Sequence, residues 1–237
     1  MQLLIQHGAD VNARDNGKTP LHLASRWGEA NTVGLLIENG AIVEVQDEDG
    51  STPLHLASSM GKVRSMQLLI QHEANVNAGD KKKTTPLHLV TESMELLMQH
   101  KVDVKARNKN GSAPLHLASS AWILEPVSLL IKHGANVNEE DKNKLTPLHL
   151  AAATSGTECV WLLIQHGANV DARHENNSTP LHWDSSRRRH GTEIVSLLLE
   201  HGATADAKDD EGRTPYDIAS STSGRISPEI KRLILTI

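Results

Sequence analysis

Histidine is the residue type in this chain that first suggests chemistry. The 237 residues include 14 histidines, and imidazole is both a common metal ligand and an effective acid or base near neutral pH. Twelve of the 14 fall into two recurring series, His22, His55, His88, His116, His149 and His182 in one and His7, His72, His100, His133, His166 and His201 in the other. Members of a series would lie about one structural repeat apart, too far to share one metal ion. We therefore predict that the first series hydrogen-bonds near helix starts and that the second meets carbonyl groups at helix ends.

Other residues that could do chemistry are isolated or lie in turns. Cys159 is the only cysteine, which excludes a disulfide within the chain, and no His–Asn pattern for nucleophilic catalysis accompanies it. The acidic runs at residues 139–141 and 209–211 fall in turn segments, and no phosphate-binding glycine loop or His-Glu-x-x-His motif occurs. We predict no enzymatic activity, no cofactor and no metal site.

Composition and charge argue against further classes of function. The formal net charge is −5, so no global positive field favours nucleic acid. No apolar run approaches the roughly 20 residues of a membrane span, and the N-terminus lacks the basic and long apolar stretches of a secretory signal. We expect an intracellular protein, cytoplasmic or nuclear, that binds neither nucleic acid nor membranes.

A four-residue phrase organises the whole chain. Thr-Pro-Leu-His begins at Thr19, Thr52, Thr85, Thr146 and Thr179, with variants at Ala113 and Thr214, so that successive starts lie 33, 33, 28, 33, 33 and 35 residues apart. A second phrase, His-Gly-Ala-Asx-Val-Asx, keeps step with the first and begins at His7, His133 and His166. Two phrases in constant register indicate internal repeats.

The residues of each repeat predict a pair of helices. Thr is a favourable N-cap because its hydroxyl can accept from unpaired first-turn amides, and Pro suits the first helical position. Further along, Val33, Leu36 and Ile37 form an apolar stripe at i, i+3 and i+4, which recurs in other repeats. Gly40 then stands where a helix commonly ends in a left-handed residue. One such pair cannot bury its apolar face alone, so the repeats must stack.

These residues resemble the ankyrin repeat family, whose signature is a 33-residue period carrying Thr-Pro-Leu-His-x-Ala. The resemblance covers essentially the whole chain. It implies an all-α solenoid of antiparallel helix pairs with short β-hairpin projections, whose concave side usually binds other proteins. We expect a single array over residues 1–237, with a half repeat at 1–14 and full repeats opening near 15, 47, 80, 108, 141, 174 and 209. The last repeat is expected to act as the C-terminal cap, closed by a helix that contains Ile226, Ile230, Leu233 and Ile234.

The chain begins in the middle of a repeat, with a second helix but no first helix. We expect residues 1–14 to belong to a longer product, with a makeshift native cap as the alternative. Leu3, Leu4 and Ile5 lack a partner helix, so part of their apolar surface should be in water. We therefore expect weak self-association, or fraying, at this end.

Some repeats depart from the pattern. The repeat at Thr85 is five residues short, which predicts two shortened helices. Before three repeat starts, Lys83, Lys144 and Asn177 replace glycine, and a positive φ there would cost each lysine about 1 kcal/mol. In the repeat at Thr179, Asp184 replaces a small buried residue, and the arginines at 187–189 are its predicted partners. Trp183 replaces a leucine of the repeat and is expected to pack.

Recognition of another protein is the function that the resemblance implies. The alternative is a substrate-recruiting arm of a larger multidomain protein or a ubiquitin-ligase adaptor. We expect binding through the hairpin tips and the concave face of the first helices. The candidate residues, chosen by position in the repeat, are Arg26, Trp27, Ser59, Met60, Lys81, Lys82, Lys109, Asn110, Lys142 and Asn143.

The charges of the tips suggest the chemistry of the partner. One tip carries Asp47, Glu48 and Asp49, the next carries three lysines at 81–83, and the one after carries Lys105, Arg107 and Lys109. We expect an acidic ridge beside a basic ridge, with an acidic partner segment on the lysines. Solvated loops are the alternative for the lysine run and for the arginines at 187–189. Trp27 is expected either to anchor the partner or to fold over the adjacent loop.

Overall fold

The computed structural model describes residues 1–90, 93–121, 123–154, 156–185 and 191–221. Internal packing divides the chain into two compact units, Met1–Lys109 and Asn110–Ile237. In the described part of each unit the regular secondary structure is helical. The predicted all-α stack of paired helices is confirmed.

Each unit consists of helix pairs that follow the repeat. The first unit contains α1 (Gln2–Gln6), α2 (Pro20–Trp27), α3 (Ala30–Glu38), α4 (Pro53–Ser59), α5 (Val63–Gln71), α6 (Pro86–Leu89) and α7 (Met94–Met98). The second contains α8 (Pro114–Ser120), α9 (Leu124–Lys132), α10 (Pro147–Thr154), α11 (Thr157–Gln165), α12 (Pro180–Ser185), α13 (Gly191–Glu200) and α14 (Pro215–Ser221). First helices pack on first helices, with α4 between α2 and α6, and with α8, α10, α12 and α14 in sequence. Second helices do the same, α3 against α5, and α9, α11 and α13 in sequence.

The core of each unit is a thin layer of aliphatic side chains that recurs in every repeat. In the first helices the leucine of Thr-Pro-Leu-His is fully buried, as at Leu21 and Leu54. In the second helices Val33 and Leu36 are fully buried, whereas Ile37 at the edge of the predicted stripe is half-buried. Burial of one leucine contributes roughly 1.5–3 kcal/mol. Because each repeat adds the same few residues, the stack is held by contacts between neighbours rather than by one large core.

The loop tips between repeats are closed turns and not β-ribbons. In the part of the chain that the structure describes, an antiparallel bridge occurs between Asp15 and Lys18. At the next tip a carboxylate oxygen of Asp47 accepts hydrogen bonds from the backbone N–H groups of Asp49 and Ser51, at 3.0 and 2.9 Å. Asp80 closes its own tip in the same way. At these two tips an aspartate side chain therefore shapes the turn.

The repeat at Thr85 has the two shortened helices that its length predicts. Its first helix, α6, has four residues and its second helix, α7, has five. Val90 follows α6 in an extended conformation, with φ −75° and ψ 126°. Leu87, Met94 and Leu97 nevertheless remain buried. The short repeat thus loses helical turns but keeps its contribution to the core.

The predicted left-handed residues at the tips are confirmed. The φ angles of Lys83, Lys144 and Asn177 are 57°, 60° and 59°. The corresponding Gly50 has φ 78°, and a Cβ added to it would lie 2.9 Å from the backbone nitrogen of Lys81. The predicted pairing of Asp184 with the arginines at 187–189, and the closing helix at residues 226–234, lie outside the described residues.

Candidate protein-binding surface

The histidine of the repeat phrase links its own helix start to the following repeat. In the second full repeat the backbone N–H of Thr52 donates to Nδ1 of His55 at 3.1 Å. Since Nδ1 accepts this hydrogen bond, the ring hydrogen is on Nε2. Nε2–H donates to the carbonyl oxygen of Thr84 at 2.9 Å. The predicted hydrogen-bonding role is confirmed here and at His22, His149 and His182. Both ring nitrogens are engaged, so neither is available to a metal or a substrate.

Burial keeps these rings neutral. Removal from water lowers the pKa of His22, His55 and His182 below its ordinary value and outweighs the backbone hydrogen bonds, which raise it. The same cause lowers the pKa of His149 to about 4. A neutral ring is also what the hydrogen bonds require, because protonated Nδ1 cannot accept.

The threonine hydroxyl has a partner that the sequence did not indicate. Thr52 is the N-cap of α4 and forms a capping box with His55, and its hydroxyl oxygen also lies 2.8 Å from Nδ1 of that imidazole. Ala113 has no hydroxyl, and its backbone N–H donates to Nδ1 of His116 at 3.1 Å. The repeat at Ala113 therefore keeps the link through the ring and lacks the contact that threonine adds.

Five members of the second histidine series bind helix-end carbonyls, as predicted. Nδ1–H of His72 donates to the carbonyl oxygen of Leu68 at 2.8 Å. Four others make the equivalent contact four residues back along the chain, namely His7, His133, His166 and His201. These histidines satisfy carbonyl groups that the end of a helix leaves unpaired.

The remaining residues with chemical potential do not converge. Cys159 is buried, and burial, assisted by the charge of Glu158, raises the pKa of its thiol, so that the reactive thiolate is disfavoured. Among the described residues no group of three His, Cys, Asp or Glu could hold a metal ion. No helix in that part of the chain combines the length and the apolar character needed to cross a membrane.

Neighbouring tips are joined by backbone hydrogen bonds that involve six of the predicted binding residues. In the first unit Lys81 N–H donates to the carbonyl of Asp49 at 2.9 Å, and Lys109 N–H donates to that of Lys82 at 2.7 Å. In the second unit the N–H groups of Lys142 and Glu175 donate to the carbonyls of Asn110 and Asn143, both at 3.0 Å. The side chains of Lys81, Lys82, Lys109, Asn110, Lys142 and Asn143 are all exposed. The backbone of the tips is thus fixed while the side chains face water.

The acidic ridge is smaller than the sequence predicted. Asp47 is only 8% exposed, and its carboxylate is directed inward onto the amides of its own turn. Glu48 and Asp49 alone are exposed at that tip. The lysines at 81–83 are exposed, and so are Lys105, Arg107 and Lys109. These six basic side chains are therefore exposed at the tips.

The ends of the first helices present the other four predicted residues to solvent. Arg26, Trp27, Ser59 and Met60 are exposed at the ends of α2 and α4, which pack side by side. Trp27 is 64% exposed, and the guanidinium carbon of Arg26 lies 5.8 Å from the centre of its ring. Most of the Trp27 side chain is therefore open to solvent.

Trp183 packs, as predicted. It is half-buried, and its indole N–H donates to the hydroxyl of Ser178 at 3.0 Å. Its ring meets the rings of His149 and His174 edge-on, with centres 6.0 and 5.5 Å apart. Trp183 therefore strengthens the region around the histidine link and is not a free surface anchor.

Sequence reasoning missed a third tryptophan. Trp161 on α11 is 50% exposed. A comparison of the second helices shows that this position holds Gly34, Gln67, Ser128 and Ser196 in other repeats. That contrast was the available signal, because a large aromatic side chain at a position filled elsewhere by small or polar residues has no part in the repeated core.

Stacked helix pairs joined by closed tips define an all-α repeat protein, a class built as a surface for recognition. Models of the ankyrin repeat match residues 1–47, 35–94 and 89–174 in a three-copy form, and residues 163–219 in a many-copy form. The chain belongs to the ankyrin repeat family. Ankyrin repeat domains are generally protein-binding modules and typically non-catalytic, and the matching models indicate no catalytic family.

Solved structures agree with the assignment. The ankyrin repeat domain of human ASB11 is 24% identical and has a TM-score of 0.82, over 92% of this chain and 97% of that one. The ankyrin repeat domain of Bcl-3, a member of the IkappaB protein family, is 29% identical with a TM-score of 0.71, over 93% of this chain and 99% of that one. No curated protein sequence matches the chain.

Proposed function

We propose that the chain recognises a partner protein through its loop tips and the ends of its first helices. The observation that carries the proposal is the set of exposed lysines on tips whose backbones are fixed. Lys81, Lys82 and Lys109 all belong to tips joined by backbone hydrogen bonds. A partner that binds such a surface loses little backbone freedom on the side of this chain, which favours affinity.

The chemistry of these tips favours an acidic segment on the partner. Within the described residues, no carboxylate forms a salt bridge with Lys81, Lys82 or Lys109. The carboxylate of Asp80 on the same tip is occupied by backbone amides, as is that of Asp47. An uncompensated positive edge attracts and orients an acidic segment and speeds association more than it slows dissociation.

Trp27 supplies a candidate apolar anchor in the same unit. Large aromatic side chains account for much of the binding energy at protein interfaces when a partner covers them. The neighbouring Met60 is 42% exposed, and methionine adapts readily to the shape of a partner. Apolar contacts at the helix ends would add affinity to the orientation that the lysines provide.

The second unit repeats the arrangement with a more polar surface. Asn110, Lys142 and Asn143 stand on tips joined in the same manner, and their side chains suit hydrogen bonds rather than a strong field. We place the protein in a reducing compartment, the cytoplasm or the nucleus, where its one cysteine stays free. The partner is a protein and not nucleic acid, since no aromatic platform alternates with the basic residues.

The test begins with capture of a partner by the intact chain and continues with the kinetics of that pair. Reversing three charges with K81E, K82E and K109E should slow association at low salt by roughly tenfold or more, and less at high salt. The matched control reverses three exposed basic residues away from the joined tips, with R64E, K101E and K132E. The control has the same net charge and should slow association much less.

Two outcomes would contradict the proposal. Equal effects of the two triple variants would mean that only net charge matters. An association rate that neither triple variant changes, with no loss of affinity in Trp27→Ala, would assign the lysines to solvated loops.

A further inference from the structure

The second helices of the second unit form an open groove separate from the surface proposed above. It encloses about 690 Å³ across α9, α11 and α13, a volume in the range of ligand-binding clefts. The described residues that line the groove all belong to these second helices, and none of them to a loop tip or a first helix. It therefore lies on residues that the predicted binding surface does not use.

Trp161 forms the apolar centre of this groove. The stacking of α11 depends on Val160 and Leu163, both of which are fully buried. Trp161 lies between them in sequence with half of its surface exposed, and the neighbouring helices carry Ser128 and Ser196 at its position. The fold does not require an aromatic ring at this position. An exposed indole also contributes less to stability than a buried one.

Leucines extend the apolar surface on both sides of the ring. Leu124 at the start of α9 is 43% exposed. Leu162 and Leu197 are half-buried and also line the groove. Contiguous exposed apolar surface of this kind marks sites of interaction more often than isolated apolar residues do.

Glutamates surround the apolar centre. Glu158, Glu193 and Glu200 line the groove, and among the described residues that line it none is basic. In the part of the chain that the structure describes, none of these three forms a salt bridge. The first unit has Asn31 and Arg64 at the position of Glu158 and Glu193, so the second helix of a repeat does not require an acid at this point.

We infer that this groove binds a basic amphipathic segment of a partner protein. An apolar side chain of the segment covers Trp161, and Lys or Arg side chains meet the glutamates. Glu193 and Glu200 lie seven residues apart on α13, about 10 Å along a helix. Basic residues two helical turns apart on the segment match that spacing, in the manner of helix-in-groove recognition. A cationic group can also lie over the indole face of Trp161.

Other occupants fit the groove less well. A second copy of the chain that met the groove with its own groove would bring glutamates against glutamates, which is repulsive. A neutral apolar molecule would cover Trp161 but leave the surrounding carboxylates without a counterpart. Charge complementarity therefore selects the basic segment.

The experiment uses the intact chain and two designed 18-residue helical peptides. Both carry leucine on one face, and the other face carries lysine in the first peptide and glutamate in the second. The lysine peptide should bind, and amide chemical shifts should change along α9, α11 and α13. Trp161→Ser, which installs the residue found in the neighbouring repeats, should weaken binding about tenfold or more. The triple variant E158Q, E193Q and E200Q should weaken it at low salt.

Matched variants in the first unit serve as controls. Trp27→Ser removes another exposed tryptophan, and the triple variant E29Q, E38Q and E95Q removes three exposed carboxylates. Neither should change the affinity for the lysine peptide. If Trp161→Ser impairs folding, Trp161→Gln replaces it, because Gln67 occupies this position in the first unit.

Several results would overturn the inference. The lysine peptide could fail to bind, or the glutamate peptide could bind equally well. The affinity for the lysine peptide could also be the same in Trp161→Ser as in the parent chain. Shifts confined to the tips and first helices would assign the peptide to the other surface. A dimer that Trp161→Ser converts to a monomer would make a second copy the occupant.

Discussion

Nε2 of His149 lies 3.3 Å from the carbonyl oxygen of Ser178, which directly precedes the start of the next repeat. Nδ1 of the same ring accepts the backbone N–H of Thr146 at 3.2 Å. One imidazole thus holds two successive repeats together. It can do so only in its neutral form, because the proton that acid adds to Nδ1 removes the acceptor.

Acid should therefore destabilise the stack. The ordinary pKa of a histidine side chain is 6.5, and burial lowers the pKa of His149 to about 4 in the folded chain. Since the folded value is the lower one, the unfolded chain takes up the proton first. The stabilisation is complete above about pH 6.5 and is lost as the pH falls towards about 4, to a total of about 3 kcal/mol. His22, His55 and His182 shift in the same direction and add to the loss.

Urea unfolding between pH 7 and pH 4.5 measures this effect. His149→Gln, whose amide can both donate and accept, should show a smaller loss of stability on acidification than the parent chain. His166→Gln alters an exposed ring of the other series and should leave the pH dependence unchanged. If His149→Gln and the parent lose the same free energy, the link is not the source of acid sensitivity.

Two buried serines should be replaceable by alanine with a gain in stability. The hydroxyls of Ser58 and Ser119 are buried and have no hydrogen-bond partner among the described residues. Ala152 fills the same position in another repeat and is fully buried. Removing an unsatisfied hydroxyl should raise the free energy of unfolding by about 1 kcal/mol per site. Thermal or urea unfolding of Ser58→Ala and Ser119→Ala tests this.

The matched control is Ser120→Ala, at an exposed hydroxyl that donates to the carbonyl of Leu117 at 2.8 Å. It should change stability by less than about 0.5 kcal/mol. A loss of stability in Ser58→Ala would show that its hydroxyl has a partner, such as a bound water molecule.

A threonine at position 113 should strengthen the helix start that lacks the repeat's hydroxyl. Ala113 lacks the hydroxyl that lies near the imidazole in the Thr146–His149 pair, at 2.9 Å. Ala113→Thr should therefore stabilise the chain by about 1 kcal/mol, and Thr146→Ala should destabilise it by a similar amount. Amides just after residue 113 should exchange faster with solvent than those after 146 in the parent chain. Equal protection at the two sites would mean that the hydroxyl contributes nothing.

Glycine in place of lysine at two loop tips should stabilise the folded chain. Lys83 and Lys144 adopt φ angles of 57° and 60°, which cost a residue with a Cβ about 1 kcal/mol or more. Lys83→Gly and Lys144→Gly should relieve this strain and raise the free energy of unfolding by roughly 0.5–1 kcal/mol. The gain is smaller than the strain because glycine loses more conformational freedom than lysine on folding. Asn177→Gly should gain less, since asparagine tolerates this region.

The reverse substitution is the control. Gly50→Ala should destabilise the chain, because its Cβ would meet the Lys81 backbone nitrogen at 2.9 Å and its φ is 78°. Equilibrium unfolding of the four variants gives the comparison. A stable Gly50→Ala chain would rule out strain as the cause.

The helix at the start of the chain should promote self-association. Leu3 and Leu4 on α1 are 67% and 59% exposed, and α1 contributes no buried residue. Sedimentation of the 237-residue chain should show association that increases with concentration, and Leu3→Gln with Leu4→Gln should reduce it. A strict monomer at all concentrations, with amides 2–7 strongly protected from exchange, would refute this prediction.

The sequence alone determined the period, the helix pairs and the roles of most histidines. These features are local or recur at fixed spacing, so one repeat explains the others: Thr52, Pro53 and His55 predict a helix start wherever their equivalents occur. The missing residues after Thr85 predicted two short helices for the same reason. The left-handed residues at Lys83 and Lys144 followed from the glycine at Gly50.

Tertiary structure decided what the side chains contact across repeats. The sequence predicted that Asp47 is an exposed surface charge, yet its carboxylate accepts hydrogen bonds from the amides of its own tip. The sequence places Trp161 in a second helix but does not show what lies beside it. In the structure it lines a groove together with Ser128 and Ser196, which lie 33 and 35 residues away in sequence. Only the stacking of α9, α11 and α13 makes them neighbours. A repeat motif fixes which residues build the stack, whereas the side chains outside the core are brought together by packing between repeats.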